Sequence, residues 1–284
     1  MSFLHLPALA LAAAILDATI GYTAALARAI GSPATWMANW LALVEGATER
    51  KGGARVLAIY LAPIVIAAAA ISVVLPSGPL GFAVAALLAS TLCGRQTLDA
   101  RARALAVTWE NDGAFEALEV AEALGPSETE VRLARASAAA IAARFADEVV
   151  APTLFILIGG LTGAAFCRGL SVVGRACRDR RDTSAFGGAV TRLEAWTLAP
   201  AARVAAGWIA AAARLTGRGD VFAAALGPAP TPTGPAEAAM LAAIGDPARD
   251  DPAYVRLAIG MFRRAAALEF VALAALALAF AVLG

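Results

Sequence analysis

The sequence predicts an all-α protein, a polytopic membrane helical bundle with an amphipathic helical loop region. Three observations predict it. Hydrophobic residues make up 60% of the 284 residues and charged residues 16%, with a mean hydropathy of +0.72. A soluble domain is roughly 45–50% apolar and about 25% charged. Uncharged apolar runs recur along the chain, and nowhere do polar and apolar residues alternate as in a half-buried strand. The composition excludes disorder. A soluble enzyme of this length would have to expose large apolar patches. The formal net charge of +1 gives no electrostatic basis for a nucleic-acid partner.

The first apolar run, Phe3 to Leu16, ends at Asp17. It has the length of a signal peptide but neither a basic leader nor a clear small-residue cleavage site, so it is read as a retained span reaching Tyr22. Val56 to Leu75 is twenty uncharged residues with Pro63 inside. About 20 residues at about 1.5 Å each cross about 30 Å of hydrocarbon. Arg50, Lys51 and Arg55 precede this run and would hold its end at a headgroup surface. After the turn cluster Pro76 to Pro79, Leu80 to Cys93 has fourteen uncharged residues. That length fits a re-entrant or a tilted return helix.

The densest acidic stretch lies between residues 96 and 148, read as a polar helical insertion. Ser127-x-x-Glu130 is a capping box. Val131, Ala134, Ala138, Ile141 and Phe145 then share one helical face, which packs on the spans or on a partner helix, Ala114 to Leu124. Val149 to Cys167 is the next apolar run. Its Gly159 and Gly163 are either a close-approach GxxxG pair or a glycine break. Trp196 to Leu215 carries Arg203 and Arg214, and is either a functional span or an interfacial helix. Residues 216–250 are a Gly/Pro/Ala-rich loop or short-helix region. Asp251-Pro252 caps the approach to the last run, Ala265 to Leu283, which contains Glu269 behind Arg263 and Arg264. Residues 1–284 are expected to form a single membrane domain of four to six spans. The arginine-rich segments 28–55 and 168–192 are expected on the cytoplasmic side. That placement requires one intervening run, Leu80 to Cys93, not to cross.

Several chemistries are excluded by what is sparse. His5 is the single histidine and Lys51 the single lysine. This removes a Ser-His-Asp triad and multi-histidine metal sites, so no metal site is predicted. Cys93, Cys167 and Cys177 form no CxxC pair and read as reduced packing residues. Neither GxxxxGK[ST] nor GxGxxG occurs.

Five segments, in order, carry a resemblance. They are Leu16-Asp17-Ala18-Thr19-Ile20-Gly21, Ala29-Ile30-Gly31-Ser32-Pro33-Ala34-Thr35-Trp36-Met37, Asp147-Glu148-Val149-Val150-Ala151-Pro152 with the following Gly159 to Gly163, Phe186-Gly187-Gly188-Ala189-Val190-Thr191-Arg192-Leu193-Glu194, and Gly234-Pro235-Ala236-Glu237-Ala238-Ala239-Met240. Together they resemble the adenosylcobinamide-phosphate synthase family of cobalamin biosynthesis. The later four are similar to its I-G-H-P-V-x-W-I-G, D-G-x-V-A-P, F-G-W-A-A-A-R-L-D and G-W-P-E-A-A-M.

The departures are equally specific. Where the family carries E-S-x-A-E-N, the polar positions are Ala139, Ala140, Ala143 and Arg144. Its N-T-x-D-S falls on Ser171, Val172, Val173, Gly174 and Arg175. Its G-R-D falls on Gly125-Pro126-Ser127, the histidine of I-G-H-P on Ser32, and the asparagine of S-P-N-A-G on Pro232.

The resemblance implies a multi-pass inner-membrane protein that converts cobyric acid to cobinamide, joining the amine of aminopropanol or its phosphate to a corrinoid carboxylate. No cofactor is evident from the residues themselves. ATP and magnesium are implied only if the family activity is retained. The surviving candidates are Asp147, Glu237, Arg192 and Glu194 for catalysis, with Arg95 and Asp99 for substrate binding. Each has an ordinary alternative: Asp147 as a solvated span entrance, Arg192 with Glu194 as a surface pair, Arg95 with Asp99 as an i,i+4 pair. Arg175, Arg178, Arg180 and Arg181 read as a headgroup-facing patch. Whether the chain is an enzyme is left open, because the missing residues are those that activate a carboxylate. The alternative is an inactive family member, acting as membrane partner of an active paralogue, as a homo-oligomer, or as a corrinoid-binding scaffold in membrane lipid. A small transporter using Arg203 and Glu269 ranks last.

Overall fold

The computed structural model describes residues 5–21, 31–47, 53–122, 133–218, 221–227, 234–245 and 251–283. These residues are helical throughout their regular structure, with no strand among them. The capping box at Ser127, and the substituted positions Gly125 to Ser127 and Pro232, lie outside the described residues. The elements are α1 (Leu6–Thr19), α2 (Pro33–Ala47), α3 (Gly53–Val74), α4 (Pro79–Ser90), α5 (Arg95–Asn111), α6 (Ala114–Glu122), α7 (Leu133–Arg144), a π-helical turn (Phe145–Val150), α8 (Ala151–Asp179), α9 (Ala185–Leu215), α10 (Phe222–Leu226), α11 (Gly234–Ile244) and α12 (Pro252–Leu283).

Among the described residues, three stretches are long and apolar enough to cross a membrane: Gly53–Val74, Leu133–Asp179 and Pro252–Leu283. The sequence pointed to four to six. The difference lies in α1, α4 and α9. The first two have 14 and 12 residues, and at about 1.5 Å per residue neither reaches across about 30 Å. Helix α9 is long but interrupted by Arg192, Glu194, Arg203 and Arg214. The expected basic segment 168–192 is also largely helical: α8 runs to Asp179 and carries Arg175 and Arg178 in its last turns.

The chain divides into two compact units. The first comprises Met1–Gly94, Ala151–Thr197 and Leu273–Gly284, and the second Arg95–Val150 and Leu198–Ala272. In the first unit, α1 and α4 pack on α8 through Leu9, Ala13, Ala85, Ala89, Ile156 and Ala164. The small residues let these short helices lie close. A second cluster joins α2, α3, α8 and the start of α9 through Leu41, Val56, Leu57, Leu170, Val173, Phe186 and Val190. Tyr60 is fully buried there, and its hydroxyl donates to the Gly169 carbonyl at 3.1 Å. A buried phenol without such an acceptor would leave a desolvated donor.

The glycine run resolves as a break. Gly159 and Gly160 have non-helical backbone angles that kink α8, and Gly160 sits at φ +58°, ψ −142°. That region is essentially open to glycine alone. Gly160→Ala is therefore expected to destabilise the fold by about 1–3 kcal/mol, read as a lower unfolding midpoint in detergent. An unchanged midpoint would mean that the kink does not need its glycine.

In the second unit, α7 packs on α11, and α5 on α6 and the π turn. The expected apolar face is present: Ala134, Ala138, Ile141 and Phe145 are all buried, and Phe145 meets Phe262 edge-on at 5.5 Å. Residues 216–250 hold the short helices α10 and α11. Asp251 caps α12, its Oδ1 accepting from the Ala253 N–H at 2.7 Å and the Tyr254 N–H at 3.3 Å. Farther along α12, Val271, Leu278, Val282 and Leu283 are exposed, an arrangement suited to lipid contact.

Candidate functional site

The π turn places two acids side by side inside the second unit. All six of its residues are buried, with Asp147 6% and Glu148 1% exposed. A π turn is rare, appears mostly as a single-turn bulge inside an α-helix, and is frequent at functional sites. Asp147 is thus not the solvated span entrance that its place before an apolar run allowed. Glu148 is held by Arg144, whose Nη1 donates to Oε1 at 2.8 Å. Both residues depart from the family pattern, which has asparagine and glycine at these positions. The structure shows the two departures to be one ion pair.

Asp99 on α5 is clamped by two arginines. Arg263 donates through Nε to Oδ1 at 2.7 Å and through Nη2 to Oδ2 at 3.0 Å. Arg103, one turn along, comes within 2.9 Å of Oδ2. Arg95 places its guanidinium 4.1 Å above the Phe270 ring, a cation–π distance. Glu110 pairs with Arg256. Arg95 with Phe270, Asp99 with Arg263 and Glu110 with Arg256 pair α5 with α12 in antiparallel sense. Glu237 lies in the first turn of α11 and is half-buried. It stands on a regular helix packed against α7, not in the short Gly/Pro setting its flanks indicated. The candidates of this unit are therefore Asp147, Glu237, Arg95 and Asp99.

Arg192 and Glu194 belong to the first unit. They are not a surface pair: Glu194 is 2% exposed and takes its hydrogen bond from Arg178 Nη1 at 2.6 Å, while Arg192 is exposed and donates through Nε to the Gly188 carbonyl at 3.2 Å. The Glu194 carboxylate occupies the space that a Cβ at Gly174 would take. Gly174 is where the family pattern carries aspartate. The space left by the acid lost from α8 is thus taken up by Glu194 of α9, which stands where the family pattern itself carries aspartate. Nearby, Arg180 pairs with Glu45, whose carboxylate holds that guanidinium above its ordinary pKa. Two of the expected headgroup-patch arginines, Arg178 and Arg180, are therefore engaged in ion pairs.

Ser32, where the family pattern has histidine, has become a helix cap. Its Oγ accepts from the Thr35 N–H at 3.1 Å at the start of α2. Arg144, Arg178 and the buried Asp17, 3% exposed, were not among the predicted site residues. Only the first had a usable signal, its i,i+4 spacing to Glu148.

Among the described residues no three His, Cys, Asp or Glu side chains gather to hold a metal ion. Asp99, Glu148 and Glu194 are already paired with arginine. The three cysteines are free thiols, all buried.

The family model described as CobD/Cbib protein matches residues 10–246. Two curated relatives, both named cobalamin biosynthesis protein CobD and both from Rhodobacter capsulatus, are 26% identical to this chain over 190 residues. The aligned part is 63% of this chain and 60% of the length of those relatives. No solved structure matches the chain.

Proposed function

The chain belongs to the CobD/Cbib protein family, and from that premise we propose that it serves cobalamin biosynthesis as a multi-pass protein of the inner membrane. The family match over residues 10–246 carries this reading. The three helices long and apolar enough to cross a bilayer support the location. The step is the one the resemblance implies: an amide bond between a corrinoid carboxylate and the amine of aminopropanol or its phosphate. The attacking amine must be unprotonated, so a base is required. Asp147 and Glu237 are the carboxylates assigned to that proton, with Arg95 and Asp99 assigned to substrate contact. Amide formation must also expel a carboxylate oxygen, and ATP with magnesium, implied by the resemblance if the activity is retained, would supply that activation.

A second version of the role has its own support. Ala139, Ala140 and Ala143 replace polar residues, and the acids Asp99, Glu148 and Glu194 are neutralised by arginine. Such a chain would act without catalysis, as membrane partner of an active paralogue or as a corrinoid-binding scaffold.

Complementation separates the two. In a strain lacking cobinamide synthesis and fed cobyric acid, growth restored by this chain alone establishes catalysis. In that background Glu237→Ala is expected to abolish growth, and unchanged cobinamide production would remove Glu237 from the site. Growth only when an active paralogue is co-expressed at a limiting level establishes the partner role. No growth in either arm, with no corrinoid retained by the purified chain, would overturn the proposal.

A further inference from the structure

Two helical faces of the first unit line an open trough. Ala54, Leu57, Ala58 and Leu61 lie on α3 and Ala189, Arg192, Leu193 and Trp196 on α9, each set spaced i, i+3, i+4, i+7. This spacing puts each set on one stripe of its helix. The helices start together: Gly53, the first residue of α3, sits against the Ala185 carbonyl, where a Cβ would overlap backbone. Beyond that contact lies a space of about 440 Å³, walled by alanine and leucine.

The polar features of the trough are ordered along it. Arg192 hydrogen-bonds back to Gly188 and so directs its guanidinium toward the end where both helices begin. Arg55, exposed in the first turn of α3, lies at the same end of that helix but outside the trough lining. Trp196 is 83% exposed on the opposite side of Arg192. Helix α3 is itself long and apolar enough to cross a membrane. An anion at the helix starts and an apolar chain beyond it describe one kind of molecule.

We propose that this trough is a binding site for an anionic phospholipid, with its phosphate on Arg192 and one acyl chain along Leu57, Leu61, Leu193 and Trp196. Charge complementarity selects the occupant. A neutral apolar partner would leave the guanidinium facing no counter-charge, and a second copy of this chain would bring another arginine to it. A zwitterionic lipid would fill the apolar wall equally but gain less from the cation. The site is independent of whether the chain catalyses amide formation.

The test uses the full chain purified in detergent, with phosphatidylglycerol or phosphatidylcholine added in equal amounts and retained lipid counted by native mass spectrometry. One phosphatidylglycerol is expected to be retained with about a fivefold preference over phosphatidylcholine, the worth of one arginine near an anionic headgroup. Arg192→Gln should abolish the preference while Arg192→Lys keeps most of it. Ala58→Trp, at an exposed position on the wall, should displace both lipids. Both sites are exposed, so the variants leave the core intact; the unfolding midpoint checks this. Equal retention of the two lipids by the wild-type chain would overturn the proposal. So would retention unaffected by Ala58→Trp, or a dimer that Ala58→Trp dissociates.

Discussion

Glu148→Ala is expected to cost about 3–5 kcal/mol of stability, the range for removing one partner of a buried ion pair. Arg144 keeps 12% of its side-chain surface exposed and Glu148 2%, so water cannot take over the lost interaction. The Arg144 guanidinium would lose its Glu148 partner next to a turn whose six residues are all buried. Removing both charges is a different experiment. Arg144→Met with Glu148→Leu is expected to recover most of the loss, because well-packed apolar replacements of buried pairs are often neutral or stabilising. Denaturant titration of the purified chain in micelles reads both. If the single and double variants are equally unstable, the pair is not what holds the turn. If the single variant matches the wild type, Glu148 has no structural role and its burial needs another reason. The second outcome would strengthen a functional reading of the turn.

That pair also marks the boundary of what the sequence discloses. The long apolar helices α3 and α12 were legible because apolar length alone decides them. The Asp251 cap and the apolar face of α7 were legible for similar reasons: both are local, set by a few residues at fixed spacing. The kink at Gly160 was half-legible. The glycines were visible, but a close-packing pair and a break share the same letters, and only the backbone angles separate them. The π turn was not legible at all, because inserting one residue into a helical turn is settled by what packs around it.

The site followed the same rule. Arg144 and Glu148 are one turn apart and could have been paired by spacing. Arg178 and Glu194 lie on different helices, joined through the turn at Asp182, so neither helix taken alone indicates the other. Alanine at 139, 140 and 143 reads as lost chemistry, since methyl groups ligate nothing. Gly174 reads the same way, but the sequence does not disclose that its missing side chain makes room for Glu194.

Gly174→Asp, which returns the family's acid to α8, is accordingly expected to damage this protein rather than repair it. The new Cβ would overlap the Glu194 carboxylate, and a second negative charge would share a site that offers Arg178. Overpacking and an unpaired buried charge together predict a loss of about 3 kcal/mol or more. Glu194→Ala alone is expected to fall less far, since Arg178 remains half-exposed at 50% and can be solvated. The combination Gly174→Asp with Glu194→Ala is the informative one. It vacates the space, and it sets the introduced aspartate one helical turn from Arg178, at i,i+4 on α8. Its stability should return to within about 1 kcal/mol of the wild type, a strong coupling between contacting sites. A double variant as unstable as Gly174→Asp alone would show that the overlap with Glu194 is not the source of the loss. Recovery would mean that positions 174 and 194 share room for one carboxylate in this chain, which keeps the acid of α9 and has given up the one on α8.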